Sequence, residues 1–177
     1  MVAKFDKPCH ALIVMKRFLV IPCLAMSGLA FSTDDAAVRK ILERKTSEFV
    51  KSMRKKDAAW FEQNATSDYR SIQGKQTLSR TQVISRMKQM FAVSTSVDPV
   101  SSTVVTFKMT GRNAVVLTKT HFVVNIGGGP GGKPVRIEDT STEEETWVPV
   151  GKDYKIQLNK ELTATLLMNG KPFKPPM

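Results

Sequence analysis

Cysteine and histidine are scarce in this sequence. Among its 177 residues there are two of each, and Cys9, Cys23 and His10 all precede residue 33. From residue 33 onward the chain has no cysteine and a single histidine, His121. A disulfide needs two cysteines, and cysteine-rich or multi-histidine metal sites need several such ligands. The sequence therefore excludes these sites beyond residue 32, and we expect no metal and no other cofactor.

Recognisable catalytic and phosphate-binding motifs are also missing. The nucleophile elbow G-x-S-x-G does not occur. Gly127 and Gly132-Lys133 have the spacing that begins a phosphate-binding loop, but Pro134 stands where a magnesium-binding Ser or Thr is needed. A strand-like run then follows where that motif requires a helix. The segment from Gly127 to Pro134 is therefore predicted to be a hairpin loop.

Acidic residues are outnumbered by basic ones, with 16 against 27 and a formal net charge of +11. Such a chain could bind nucleic acid. However, its basic residues are spread along the sequence, and the one dense group, residues 51–56, ends a predicted helix, where cations complement the helix dipole. Aromatic residues make up 7% of the chain, and few lie close enough to that group to stack on bases. We expect no nucleic-acid partner.

The first 32 residues have the pattern of a secretory signal peptide. Met15-Lys16-Arg17 is a positive start, residues 18–30 are apolar or small, and Ala30-Phe31-Ser32 has small residues where a signal peptidase reads. We interpret residues 1–32 as a signal peptide whose true start is Met15, cleaved before Thr33. The apolar run is too short to span a bilayer comfortably. We expect a periplasmic or secreted protein with no stable membrane insertion after cleavage, and an N-terminal membrane anchor is the alternative.

The rest of the chain is predicted to be one domain, residues 33–168, followed by a proline-rich tail, residues 169–177. Helical periodicity marks its first half. A long amphipathic helix should end near Lys55, with apolar positions at Val38, Ile41, Leu42, Phe49 and Met53. Asp57 should cap a short second helix, and Ser79 with Gln82 forms a capping box before a third. Between them, Tyr69–Ile72 alternates as a short strand does.

In the second half of the domain the sequence pattern repeats every two residues, as in β-strands. It predicts long strands over residues 100–109, 114–126, 135–148 and 154–167, joined by turns at 110–113 and 151–153. Helices first and hairpin-linked strands afterwards indicate an α+β fold with a strongly curved antiparallel sheet.

Five residues are candidates for a site. Glu143 and Glu145 share a strand face with Trp147, and a buried member of this pair would have a raised pKa and could act as an acid or base. An exposed edge strand carrying charge is the alternative for both glutamates. His121 could shuttle protons or be a structural histidine. Tyr69 and Trp147 could line a pocket or belong to the core.

The order and spacing of several motifs resemble the nuclear transport factor 2-like superfamily, which includes SnoaL-like and ketosteroid isomerase-like domains. The resemblance runs from Asp34 to Leu167. It rests on the long first helix, Lys56–Phe61, Asp68-Tyr69, Leu78-Ser79-Arg80, Glu145–Val148 and Gly151–Ile156. It implies a cone-shaped (cystatin-like) fold, in which helices pack in the curved sheet and a pocket opens between them. It also implies a homodimer through the sheet.

The resemblance does not carry over the isomerase catalytic set. The base position falls near Ser71 or Gln73, and the tyrosine position in the first helix falls near Phe49; none of these can do that work. Only the third role, a protonated acid, has a candidate in Glu143 or a neighbour. Three functions remain open: a domain that binds a small, partly apolar ligand, an isomerase, cyclase or hydratase, and a dimeric interaction module.

We predict where a ligand would bind. It should lie between the first helix and the sheet, near Tyr69, His121 and Glu143 or Glu145. His121 and Glu145 would form a proton-transfer pair if they approached within about 3 Å.

Overall fold

The computed structural model describes residues 35–127 and 133–173. The interpreted signal peptide, its cleavage site, most of the predicted hairpin loop and the end of the predicted tail lie outside these residues. Within them, no helix is long and apolar enough to cross a membrane.

Three helices among the described residues form one layer of the domain. They are α1 (Asp35–Arg54), α2 (Ala59–Asn64) and α3 (Arg80–Val93). The capping box of α3 is present: the Ser79 hydroxyl accepts the Gln82 amide hydrogen, and the Gln82 side chain accepts the Ser79 amide hydrogen. The Asp57 carboxylate accepts the amide hydrogen of Ala59 at 2.8 Å, but the N-cap position of α2 is Ala58, one residue later than predicted, and no side chain caps it. Local sequence therefore determines where α3 begins.

One sheet forms the second layer. Its strands are β1 (Ala65–Gln73), β2 (Gln76–Ser79), β3 (Ser94–Thr110), β4 (Asn113–Ile126), β5 (Val135–Val150), β6 (Asp153–Met168) and β7 (Lys171–Pro172). The spatial order is β2-β1-β6-β5-β4-β3, and β7 pairs with β6. The sheet is mixed, since β1 runs parallel to β6 while the other pairs are antiparallel.

The four long strands follow the predicted alternation. Each begins and ends within a few residues of its expected bounds except β3, which starts six residues earlier, at Ser94. On β4, Ala114, Val116, Thr118 and Thr120 are buried, because this face of the sheet lies against the helices. We call it the inner face, and the opposite side the outer face.

Two apolar clusters join the helices to the inner face. One cluster contains Val38 and Leu42 of α1 and Phe61 of α2. These pack with sheet residues that include Val116 and Trp147. The other joins Met53 and Phe91 to β3 and β4. Val83 and Met87 of α3 pack, half-buried, against the first cluster. The apolar positions predicted for α1 therefore face the sheet, and apolar residues of α3 do so as well.

Lys45 is a buried charge in the helical layer. Only 2% of the residue is exposed, and its ammonium donates to Asn64 Oδ1 at 2.6 Å and to Asp153 Oδ2 at 2.8 Å. A buried charge is tolerated when it is paired and hydrogen-bonded. Lys45 therefore ties α1 to α2 and to the turn that begins β6.

Candidate functional site

The inner face carries a group of acidic and hydroxyl side chains where four strands meet. β4 and β5 pair without a bulge, so Glu145 lies opposite Val116 and Glu143 lies opposite Thr118. Val116 and Thr118 are buried inner-face residues, which places both glutamates inside. Trp147, opposite the fully buried Ala114, shares this face. The alternation read from the sequence therefore assigned these three residues to one face correctly.

Glu145 is held by two neutral donors. Thr118 Oγ1 donates to Glu145 Oε1 at 3.0 Å, and the Trp147 indole nitrogen donates to Oε2 at 2.7 Å. Burial raises the pKa of Glu145 to about 7, and the negative charge of Glu143 adds to that shift. The two hydrogen bonds oppose it without cancelling it. Glu145 is therefore a carboxyl group that can exchange a proton near neutral pH.

Glu143 is positioned by donors from its own strand and from β6. The Ser141 hydroxyl donates to Oε1 at 3.1 Å, and the Asn159 amide donates to Oε2 at 2.7 Å. As with Glu145, both donors are neutral, so the hydrogen bonds orient the carboxylate without compensating its charge.

Two further carboxyl groups, Asp139 and Glu161, extend the group along the inner face. Burial raises the pKa of Asp139 to about 6, aided by the charges of Glu143 and Glu161. Burial and the charge of Glu143 also raise the pKa of Glu161. Asp139 Oδ1 is buried and has no hydrogen-bond partner among the described residues. Negative charge therefore accumulates here with few compensating groups.

Sequence reasoning missed both of these residues. Asp139 could have been found, because it has the same strand parity as Glu143 and Glu145. Glu161 could not. Regular pairing from the turn at 151–153 would set Lys160 opposite Glu143, but a bulge between Trp147 and Thr146 shifts the β5–β6 register and sets Glu161 there.

Tyr69 lies on the inner face of β1. It is 2% exposed, and its ring meets the ring of Phe61 edge-on with centroids 4.9 Å apart. Burial raises the pKa of the Tyr69 hydroxyl, the charges of Glu143 and Glu145 raise it further, and a hydrogen bond with Ser71 opposes the shift. Tyr69 therefore stays protonated and keeps a hydroxyl that can donate. We call Tyr69, Asp139, Glu143, Glu145, Trp147 and Glu161 the inner-face cluster.

His121 lies on the opposite face. It is opposite Thr140 on β5, and its Nδ1 is 3.0 Å from the Thr140 hydroxyl. Its Nε2 is 4.0 Å from a carboxylate oxygen of Glu138. Odd-numbered β4 residues at this point face outward, so His121 and Glu145 are on different faces, and the proton-transfer pair expected of them is not formed. A ligand-binding role for His121 stays a prediction.

Two of the positions that the resemblance assigns to isomerase roles are occupied by packed residues. Ser71 is buried on β1, and Phe49 packs against the ring of Trp60 at 5.1 Å between centroids. Within the described residues, no group of three or more acidic, histidine or cysteine side chains has an arrangement that could hold a metal ion.

An open groove of about 590 Å³ lies elsewhere, between α3 and the segment joining α1 to α2. Its lining includes Lys56, Ala58, Lys88 and Phe91. Lys88 is paired with Glu62 at 2.7 Å, and Lys56 donates to the Ser94 carbonyl at 3.0 Å. These cations already have protein partners and are exposed to solvent, so we place the candidate site at the inner-face cluster.

Comparison with known proteins identifies the fold of this chain. No protein-family model and no curated protein match the sequence. Solved structures do match. A conserved protein from Planctomyces limnophilus superposes with a TM-score of 0.64 at 13% identity, over 78% of this chain and 99% of that one. A nuclear transport factor 2-like superfamily protein from Salmonella enterica superposes with a TM-score of 0.57 at 13% identity, over 80% and 96%.

An enzyme structure is among the matches. A type 2 hexachlorocyclohexane dehydrochlorinase (LinA) superposes with a TM-score of 0.57 at 12% identity, covering 80% of this chain and 97% of that one. With three helices packed against a curved mixed sheet, the chain has the nuclear transport factor 2-like, SnoaL-like fold. The α+β prediction and the resemblance that the motifs carried are thereby confirmed for the fold.

Proposed function

We propose that the domain binds a small, partly apolar molecule at the inner-face cluster. The observation that carries this proposal is the pair Glu143 and Glu145, which are oriented on the inner face by four neutral hydrogen bonds. Ionised carboxylates only accept hydrogen bonds. A bound molecule would therefore present a hydrogen-bond donor to them. Its apolar part would contact the aromatic and aliphatic side chains of the first apolar cluster, which includes Tyr69 and Trp147.

The second candidate function is acid–base catalysis at the same place. Glu145, with its pKa near 7, is the specific observation that favours it, since catalytic acids and bases work best near the ambient pH. The dehydrochlorinase of the same fold shows that such a domain can be an enzyme, but at 12% identity it lends this chain no reaction. Glu145 would transfer a proton to or from the bound molecule, with Tyr69 as a donor beside it.

One ligand screen tests both candidates. We expect a molecule that binds the inner-face cluster to raise the melting temperature of the wild-type protein by about 5–10 °C at roughly 100 times its dissociation constant. At about pH 8, where Glu145 with its pKa of about 7 is mostly ionised, Glu145→Gln should reduce the rise, because it removes the charge that the donor meets. Glu144→Gln is the matched control, since Glu144 is exposed on the outer face of the same strand.

The ligand recovered after incubation separates the two functions. An unchanged molecule supports binding, and a converted one supports catalysis. Equal loss of the temperature rise in Glu144→Gln and Glu145→Gln would contradict a site at the inner-face cluster.

The proposal includes export to the periplasm or the medium. Its support is the pattern of residues 1–32. Mass spectrometry of the protein purified from its own host should find Thr33, or a residue within a few positions of it, at the N-terminus. A chain that still begins at Met1 or Met15 would contradict cleavage.

A further inference from the structure

The two edges of the sheet differ greatly in length. β2, at one edge, has four residues, whereas β3, at the other, has 17. An edge strand presents unpaired backbone N–H and C=O groups, and proteins protect such edges with short strands, charges or covering elements. β2 is protected by its shortness, so β3 is the edge whose protection has to be explained.

Side chains from the helical layer cover the first part of β3. Lys56 Nζ donates to the Ser94 carbonyl at 3.0 Å, and Arg54 Nη2 donates to the Val100 carbonyl at 2.9 Å. Among the described residues, no side chain from another element bonds the backbone of residues 101–110. The protection from α1 and the turn after it therefore ends at Val100.

The sequence of this uncovered part suits pairing with another strand. Residues 99–107 contain no charged side chain, and β-branched residues, which favour strands, make up most of them. Val105 is 53% exposed. It is the extra residue of a bulge in the pairing with β4, which is regular over residues 100–104 and again over residues 106–110; a further irregularity lies between Val97 and Val100. We call residues 101–107 the free edge.

The charges that flank the free edge indicate which partner it fits. Asp98 and Lys108 lie at equal sequence distances before and after Thr103. Two copies of β3, paired antiparallel about a two-fold axis at Thr103, would bring Asp98 of each copy close to Lys108 of the other. Opposite charges across neighbouring strands stabilise their pairing, and a two-fold interface requires such self-complementarity. Asp98 is 68% exposed, with one contact to Arg54 at 3.4 Å, so it remains accessible.

We propose that the free edge of β3 pairs with the free edge of a second copy of this chain, which joins two sheets edge to edge. This differs from a dimer built on the outer face of the sheet. An extended peptide from another protein is the competing occupant, but it would not require the symmetric placement of Asp98 and Lys108.

Cysteine cross-linking tests the geometry. In the protein as its host processes it, Thr103→Cys places two thiols at the proposed axis, within the reach of a disulfide. We expect a covalent dimer on mild oxidation. Lys119→Cys is the matched control, because Lys119 lies opposite Thr103 on β4, exposed and set one strand away from the edge. The wild-type protein, oxidised in parallel, accounts for any dimer formed through Cys9 or Cys23.

Charge exchange tests the register. Sedimentation equilibrium should show a wild-type dimer whose dissociation constant rises by about tenfold or more in Lys108→Asp, since two like-charged pairs then face each other. Combining Lys108→Asp with Asp98→Lys should restore the wild-type value. A wild-type monomer at about 100 µM, above the usual range of specific dimers, would overturn the proposal. So would stronger cross-linking of Lys119→Cys than of Thr103→Cys, or a double variant as weak as the single one.

Discussion

Replacing Tyr69 with alanine should lower the free energy of unfolding by about 3–5 kcal/mol, the usual range for removing a fully buried aromatic side chain. Tyr69 is 2% exposed and meets Phe61 edge-on at 4.9 Å. It belongs to the cluster that joins α1 and α2 to the sheet. The lost ring would leave a cavity that a strand fixed on both sides cannot close. Urea unfolding should show a lower midpoint at an unchanged slope.

Tyr69→Phe is the control for this prediction. It keeps the ring and removes only the hydroxyl that bonds Ser71, so we expect a loss of about 0.5–1.5 kcal/mol. If Tyr69→Ala lost no more than Tyr69→Phe, the ring would not be part of the packed core, and Tyr69 would have to be reassigned to a solvent-filled pocket.

The stability of the protein should fall as the pH rises through the range in which Glu145 ionises. The pKa of Glu145 is raised from 4.5 to about 7 in the folded state. Between these values the folded protein holds a proton that the unfolded chain has released, so the free energy of unfolding decreases with pH. The stabilisation is fully present below pH 4.5 and is lost by about pH 7 or slightly above. A shift of this size corresponds to about 3 kcal/mol.

Glu145→Gln isolates this contribution. Between pH 5 and pH 8 the variant should lose about 2–3 kcal/mol less stability than the wild type. The pKa values of Asp139 and Glu161 are also raised, so both groups contribute to the pH dependence of stability. Their contributions are present in both proteins and cancel in the comparison. Stability would be measured by urea unfolding at a series of pH values.

Glu144→Gln provides the matched control for the titration. It removes the same charge one residue away, on the exposed outer face. We expect the free energy of unfolding of this variant to fall with pH as steeply as that of the wild type. An equal change of slope in Glu144→Gln and Glu145→Gln would show that net charge, and not the buried carboxyl group, governs the pH dependence.

The helices could be predicted closely because their signals are local. The apolar positions of α1 recur every three or four residues, and its observed end at Arg54 is one residue from the expected Lys55. Ser79 and Gln82 define the start of α3 through hydrogen bonds within four residues of chain. Such contacts do not depend on the rest of the fold.

The parallel pairing of β1 with β6 could not be predicted from the residues themselves. Four other strands lie between β1 and β6 in the sequence. Nothing in the residue types of Ala65 and Ile156, which pair first, indicates that they are partners. The early start of β3 was missed for a related reason. Ser94 and Ser96 have weak local preference for a strand, and they form one because Ile126 and Asn125 of β4 pair with them.

The sequence by itself determined that Glu143, Glu145 and Trp147 share one face of a strand, because side chains alternate along any strand. Only the tertiary structure decided that this face is the inner one and that His121 is on the other. It also brought Thr118 and Asn159 to the glutamates through the register of β4 and β6. A bulge between Thr146 and Trp147 set Glu161, in place of Lys160, opposite Glu143. Register has this effect because a shift of one residue moves every side chain to the opposite face. That shift is set by the packing of distant strands and helices, which no local pattern encodes.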